Sequence, residues 1–216
     1  VSEMLGDKDW AKNLYNKAED KAENSLDLNW LAFSITETLG DKDWAKKLYK
    51  KAENETENVR ELCDLADSIF ETFRDNEWQT KIYKKAEVMA KEHSELYELA
   101  DSIYINLDDE EWARRLYKKA ENTTEESSDL HGLIDSLCSK LGDQLWAKKI
   151  FLKAENLAQD STDFCGLADS LFRMLDDKDW AEKLYKKAEE KAEASFEFRW
   201  LADSLCKKLG EKEWSE

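Results

Sequence analysis

Two histidines (His93, His131), four cysteines (Cys63, Cys138, Cys165, Cys206) and 50 acidic side chains are the groups here that could act as bases, nucleophiles or metal ligands. General acid–base work needs carboxyls whose surroundings drive their pKa values apart, and a nucleophile needs a base within reach. Neither histidine stands in a pattern with Ser or Cys that suggests such a pair. The cysteines show no Cys-x-x-Cys spacing, and no histidines are placed to complete a zinc site. Free thiols in a reducing, cytoplasmic compartment are the simpler expectation. Asp108-Asp109-Glu110-Glu111 lacks the alternating oxygens and mid-loop glycine of a calcium loop, so helix capping accounts for it better. No Gly-rich phosphate loop or His-Glu-x-x-His occurs. The expectation is a non-enzymatic protein with no cofactor and no metal.

The regular feature among the acids is a column, Asp67, Asp101, Asp135, Asp169 and Asp203, spaced by 34 residues. It belongs to a larger register. Trp10, Trp44, Trp78, Trp112, Trp146, Trp180 and Trp214 keep the same 34-residue spacing without an insertion, as do Leu31 to Leu201, Ser34 to Ser204 and Ala18 to Ala188. A reaction needs one constellation, whereas a unit repeated at fixed period serves shape: each copy buries its apolar face against the next.

Two helices fit one period. Leu28, Leu31, Ala32, Ile35 and Leu39 follow helical spacing, and Trp44, Ala45, Leu48, Tyr49, Ala52 and Thr56 form a second stripe. Gly40 suits the left-handed residue ending the first helix, and Asp41 the cap of the second. The cap column runs Asp7, Asp41, Asp75, Asp109, Asp143, Asp177 and Glu211. Acid–base pairs such as Asp43 with Lys47, Glu77 with Lys81 and Glu111 with Arg115 have the favourable i, i+4 order. Ser25, Ser127, Ser161 and Ser195 are the expected caps of first helices, with Val59 leaving one unit uncapped. The regular placement of the Trp column on an apolar stripe predicts core packing.

The chain carries a formal net charge of −17, no proline and six glycines, with plentiful aromatics. That composition is helical and not disordered. The charge repels phosphate backbones and anionic membranes and complements a basic partner. No apolar run approaches the ~20 residues of a membrane span. Residues 1–5 read as the tail of a first helix, and Glu211 to Glu216 open a second helix, so the array is expected to be cut within a repeat at both ends. Uncapped ends then imply a longer array or self-association end to end.

Leu65-Ala66-x-x-Ile69 on the first helix and Ala45-x-x-x-Tyr49-x-x-Ala52 on the second resemble the 34-residue unit of the tetratricopeptide family across essentially the whole chain. The departures are a dominant Trp at the start of the second helix, no proline ending the unit, a longer inter-helix turn, and Gln79 and Ile134 where small residues are expected. The resemblance implies an all-α fold over residues 1–216: a right-handed α-solenoid of stacked antiparallel helix pairs, about six in number.

With the buried stripe at residues 28, 31, 32, 35 and 39, residues 29, 33 and 36 form the stripe beside it at about 100° per residue. Repeated by register, this gives Asn29, Cys63, Tyr97, His131, Cys165 and Arg199 in one column. Phe33 and the five Asp follow, then Thr36, Phe70, Tyr104, Cys138, Phe172 and Cys206. In the resembling family first helices line a concave groove, which implies that this strip faces a partner. Cys63, Asp67, Phe70, Tyr97, Asp101, Tyr104, His131, Asp135, Cys165, Asp169, Phe172, Arg199 and Asp203 are thus the candidate partner-binding residues. The Asp column has two readings: fixing the stacking of neighbouring helices, or receiving Lys and Arg from a bound segment. The functional expectation is a scaffold for a basic or amphipathic peptide, with end-to-end self-assembly as the alternative. Acidic groove columns argue against nucleic acid.

Overall fold

The computed structural model describes residues 8–209. The cap expectations at Asp7 and Glu211, Trp214 and both terminal half-units lie outside them. Among the described residues the fold is all-α. Helices α1 (Lys8–Glu19), α2 (Ser25–Leu39), α3 (Lys42–Glu55), α4 (Val59–Phe73), α5 (Asn76–Met89) and α6 (His93–Leu107) are followed by α7 (Glu110–Thr123), α8 (Leu130–Ser139), α9 (Gln144–Leu157), α10 (Ser161–Leu175), α11 (Lys178–Lys191) and α12 (Ser195–Ser204), the last running into a π-helical turn, Leu205–Leu209. The helices group into two compact units, Val1–Lys91 with Glu98–Ala113, and Glu92–Tyr97 with Arg114–Glu216.

In the first unit α2 pairs with α3 and α4 with α5, while α4 also packs on α2 and α3. In the second, α8 pairs with α9 and α10 with α11; α10 rests on α8 and α9, and α12 on α10 and α11. Each unit is therefore a stack of helical hairpins. The stripe Leu28, Leu31, Ala32 and Ile35 of α2 is buried, and so is Ala45, Leu48, Tyr49 and Ala52 of α3.

The turn within a hairpin uses one left-handed residue. Gly40 (φ 72°) donates its N–H to Thr36 O at 3.0 Å, and Arg74, Asp108, Gly142 and Asp176 take the same conformation. Asp41, Asp75, Asp109, Asp143 and Asp177 then accept the backbone N–H of the Trp three residues on, at 2.9–3.2 Å. The first-helix caps differ from the expectation. Asn24, Asn58 and Asp160 accept the backbone N–H groups, because their planar acceptors precede the helix, and Ser25, Val59 and Ser161 are the first helical residues. Ser127 is buried with its hydroxyl unpaired, and at α12 the Glu197 carboxylate caps the N–H groups of Glu193 and Ala194 instead of Ser195 doing so. Lys81 pairs with Glu53 of the preceding hairpin at 2.8 Å, a partner the i, i+4 reading did not anticipate.

Trp44, Trp78, Trp146 and Trp180 are half-buried, and Trp112 is buried. Of these five only Trp112 is closed off from solvent, and core packing describes the others in part; all five share a polar tie at the seam between hairpins. Each indole Nε1–H donates to a Glu 25 residues earlier: Trp44 to Glu19, Trp78 to Glu53, Trp112 to Glu87, Trp146 to Glu121 and Trp180 to Glu155, at 2.7–3.0 Å. The acceptor is the Glu of the Lys-Ala-Glu triplet that ends the preceding second helix. The ring edge meets an aromatic of the preceding second helix, as in Tyr49–Trp78 at 6.5 Å and Phe151–Trp180 at 6.0 Å. Trp10 is 58% exposed.

Gln79 stands where Ala45, Ala113, Ala147 and Ala181 occur in other hairpins, and it too is fully buried. Neither its amide nitrogen nor its oxygen has a partner. Replacing it with methionine keeps the volume and removes two unpaired polar atoms. Gln79→Met is expected to stabilise by about 1–3 kcal/mol. A thermal melt checks this: the midpoint rises by about 2–4 °C per kcal/mol for a chain of this size.

Candidate functional site

Charge divides by layer. Every first helix from α2 to α12 carries more Asp and Glu than Lys and Arg, and every second helix from α1 to α11 the reverse. The strip expected to meet a partner lies on the acidic layer, but its columns have different surroundings.

The column headed by Asn29 is largely a packing layer between consecutive first helices. Cys63 (7% exposed) and Cys165 (2%) are closed off, burial pushing their thiols up to about 12 and about 11. Cys165 donates to Ser204 Oγ at 3.7 Å. Tyr97 lies against Gly132 and His131 against Gly166: a Cβ on Gly132 would run into the Tyr97 ring, and one on Gly166 would meet His131 Cε1 at 3.3 Å. Glycine thus stands in the register opposite the two ring-bearing members of the column in its unit. Burial lowers the pKa of His131, whose Nε2 is buried without a partner. Arg199 is exposed.

The Asp column ties hairpins together where it can be followed. Tyr83, buried on α5, donates its hydroxyl to Asp67 Oδ1, and Asn106 Nδ2 reaches the same oxygen at 2.9 Å. Tyr185 donates to Asp169 Oδ1 at 2.6 Å, and Ser204 to its Oδ2 at 3.0 Å. Asp135 faces Arg173 at 3.9 Å, Asp101 is half-buried and Asp203 is exposed. The third column turns toward the inter-helix turns: Arg74 lies over Phe70 at 5.1 Å and Lys178 over Phe172 at 5.7 Å, while Tyr104 and Cys138 are half-buried and Cys206 is exposed.

A hollow of about 310 Å³ opens between α2 and α4, lined by Leu26, Asn29, Trp30, Phe33, Asp64, Asp67, Ser68 and Glu71. A second, of about 620 Å³, opens on the equivalent face of the other unit beside His131, Asp163, Gly166, Asp169, Arg173 and Trp200. The structure brings Asn29, Phe33 and Asp67 together as the strip implies, and His131 with Asp169. It replaces the third column with the positions of Leu26, Trp30 and Glu71, which lie opposite the buried stripe. The missed residues carried a signal: Leu26 and Trp30 are large and apolar where the next unit has Arg60 and Asp64.

Titration separates the two layers. At Glu53 and Glu155 burial disfavours the charge, but hydrogen bonds from Lys81 and Trp78, and from Lys187 and Trp180, outweigh it and hold the carboxyls below their usual 4.5. Asp67 moves the other way: burial raises it above 3.8, and the hydrogen bonds from Tyr83 and Asn106 only partly compensate. A lowered carboxyl stabilises the fold above its unfolded value and ceases to as pH falls through its folded value. A raised one costs stability at neutral pH, a cost relieved on acidification. Acidification from neutral pH is therefore expected first to raise stability, as Asp67 takes up its proton above its unfolded value, and then to lower it as pH falls below about 4.5 through the depressed values of Glu53 and Glu155. Melts across pH check this, and Asp67→Asn should flatten the rise while leaving the acid limb in place.

Among the described residues no group of three or more His, Cys, Asp or Glu is placed to hold a metal ion, and no helix is long and apolar enough to cross a membrane. No protein-family model matches the chain, and no curated protein matches it.

Proposed function

We propose that this chain is a non-enzymatic interaction scaffold, a divergent tetratricopeptide-like array whose acidic first-helix layer receives a basic segment of another protein. The observation that carries the reading is the α2–α4 hollow, where three carboxylates stand beside the exposed Trp30 ring and the half-buried Phe33 ring. Carboxylates attract Lys and Arg, and the rings offer their stems apolar area and their charge a π-face. Buried Cys63 and Cys165 serve the stack in this reading, and selectivity rests on the surface residues around them.

Fluorescence anisotropy with labelled basic and acidic peptides of equal length tests it. The basic peptide is expected to bind and to weaken as salt rises. Equal binding of both peptides, or indifference to salt, contradicts it.

A second reading, self-association, draws on α12, where Phe196 (56% exposed), Phe198 (48%) and Trp200 (42%) present apolar surface. Sedimentation over a concentration range separates the two. Mass growing with concentration favours assembly of copies, and a concentration-independent monomer contradicts it.

A further inference from the structure

The α2–α4 hollow differs from a plain acidic patch in three ways. Asn29 lines it, is 7% exposed, and has a buried side-chain oxygen with no hydrogen-bond partner. Desolvating such an acceptor without a donor is unfavourable, and natural folds seldom leave one so. Asp67 receives both of its hydrogen bonds, from Tyr83 and Asn106, on Oδ1, so the fold makes no use of Oδ2. Trp30 is 64% exposed, and the fold does not require a large ring there: the same register holds Asp64 and Glu98 in the two units that follow, with Gly132, Gly166 and Trp200 beyond. Phe33 likewise stands where five later units have Asp. Trp30 is exposed and so free of the packing demands that fix the buried columns, while Phe33 is half-buried beside it.

We infer that this hollow is a subsite for one arginine side chain of the bound segment, its guanidinium on the Asp64 and Asp67 carboxylates, with Glu71 adding negative charge one turn further on, and its plane against Trp30. Asp64, Asp67 and Glu71 succeed one another at i, i+3 and i+7 on α4, a row of acceptors along one helix face. A planar group with five N–H donors can engage two carboxylates and the Asn29 oxygen while stacking on an indole. An ammonium is a compact point charge and exploits less of this arrangement. A hydrated metal ion gains nothing from Leu26, Trp30 and Phe33. The nearby Arg60 does not fill the role, because its guanidinium is engaged by Glu98 through Nε at 3.2 Å and through Nη2.

The subsite rests on the scaffold reading above, and the experiment keeps the two apart. The probe is a labelled pentapeptide with one arginine among glycines and serines, beside versions carrying lysine or neutral citrulline. Binding is followed by anisotropy and by the Trp30 indole signal in NMR. The arginine peptide is expected to shift that signal, to outbind the lysine peptide, and to lose about 5- to 30-fold in affinity on Trp30→Ser and again on Asp64→Asn. Both positions are exposed, so the variants should melt with the parent, which circular dichroism verifies. If the lysine or citrulline peptide binds as well as the arginine one, the guanidinium assignment is overturned. If the arginine peptide binds but neither variant weakens it, the subsite is overturned while the scaffold reading stands. If neither this peptide nor an oligo-arginine binds the intact chain, both fail.

Discussion

Replacing Trp78 with alanine is expected to destabilise the chain by about 3–4 kcal/mol, the largest single effect foreseen outside the aliphatic core. The indole is packed at the edge of Tyr49 (6.5 Å, 87°) and beside Phe73 (5.8 Å), with Lys46 over its face at 5.9 Å. Alanine removes that area and leaves a void at the seam between two hairpins. It also takes the 2.9 Å donor from Glu53, whose remaining side-chain partner is Lys81 at 2.8 Å. Phenylalanine separates the contributions. Trp78→Phe keeps most of the apolar area and loses the N–H, and is expected to cost about 1–1.5 kcal/mol. Urea unfolding measures both, and shape matters as much as midpoint. A stack held by nearest-neighbour seams loses cooperativity when one seam is weakened, so the alanine variant should unfold over a broader range with a smaller slope. Equal stability of parent and alanine variant would show the seam to be unimportant.

The second large effect concerns Asp67. Its removal in Asp67→Ala leaves the hydroxyl of buried Tyr83 without its acceptor and takes one partner from Asn106, so a loss of about 2–3 kcal/mol is expected. Asparagine retains an oxygen at the same place. Because burial already holds the Asp67 carboxyl above its usual range, Asp67→Asn removes a charge that the fold disfavours at neutral pH. It should fall within about 1 kcal/mol of the parent. Thermal and urea melts at pH 7 give both numbers. Equal losses from Ala and Asn would mean that the charge, not the acceptor, holds Tyr83 in place. The pair also tests the structural use of the Asp column at this position, which needs an acceptor; capture of a cation needs the charge and is read by peptide binding.

Helices, hairpin pairing and the Asp caps of the second helices were legible because one period repeats them and each has a local cause. The first-helix caps were misplaced by one residue at Ser25 and Ser161, where the serine looks capable but Asn24 and Asp160 come first and accept better. The role of the Trp column was legible only in part. Its apolar stripe pointed inward, but the partner of the indole N–H lies one hairpin back, at a separation no local rule covers. The repetition of Glu19, Glu53, Glu87, Glu121 and Glu155 at a constant distance before each Trp was the available clue.

The candidate surface was half legible for a geometrical reason. A helical wheel places Asn29, Phe33 and Thr36 beside the buried stripe, but it cannot say how closely the next first helix approaches. That approach buries Cys63 and Cys165, seats Tyr97 on Gly132, and leaves the open hollow around Trp30 and Glu71.

Hydrogen exchange of the indole N–H protons, resolved by NMR, tests most directly whether a Trp–Glu clasp fastens each hairpin to the one before it. Slow exchange is predicted for Trp44, Trp78, Trp112, Trp146 and Trp180, whose N–H groups are bonded to glutamates, and fast exchange for the solvent-facing Trp30 and Trp200. If the five exchange as fast as those two, the clasp does not exist in solution and the account of the stack is wrong.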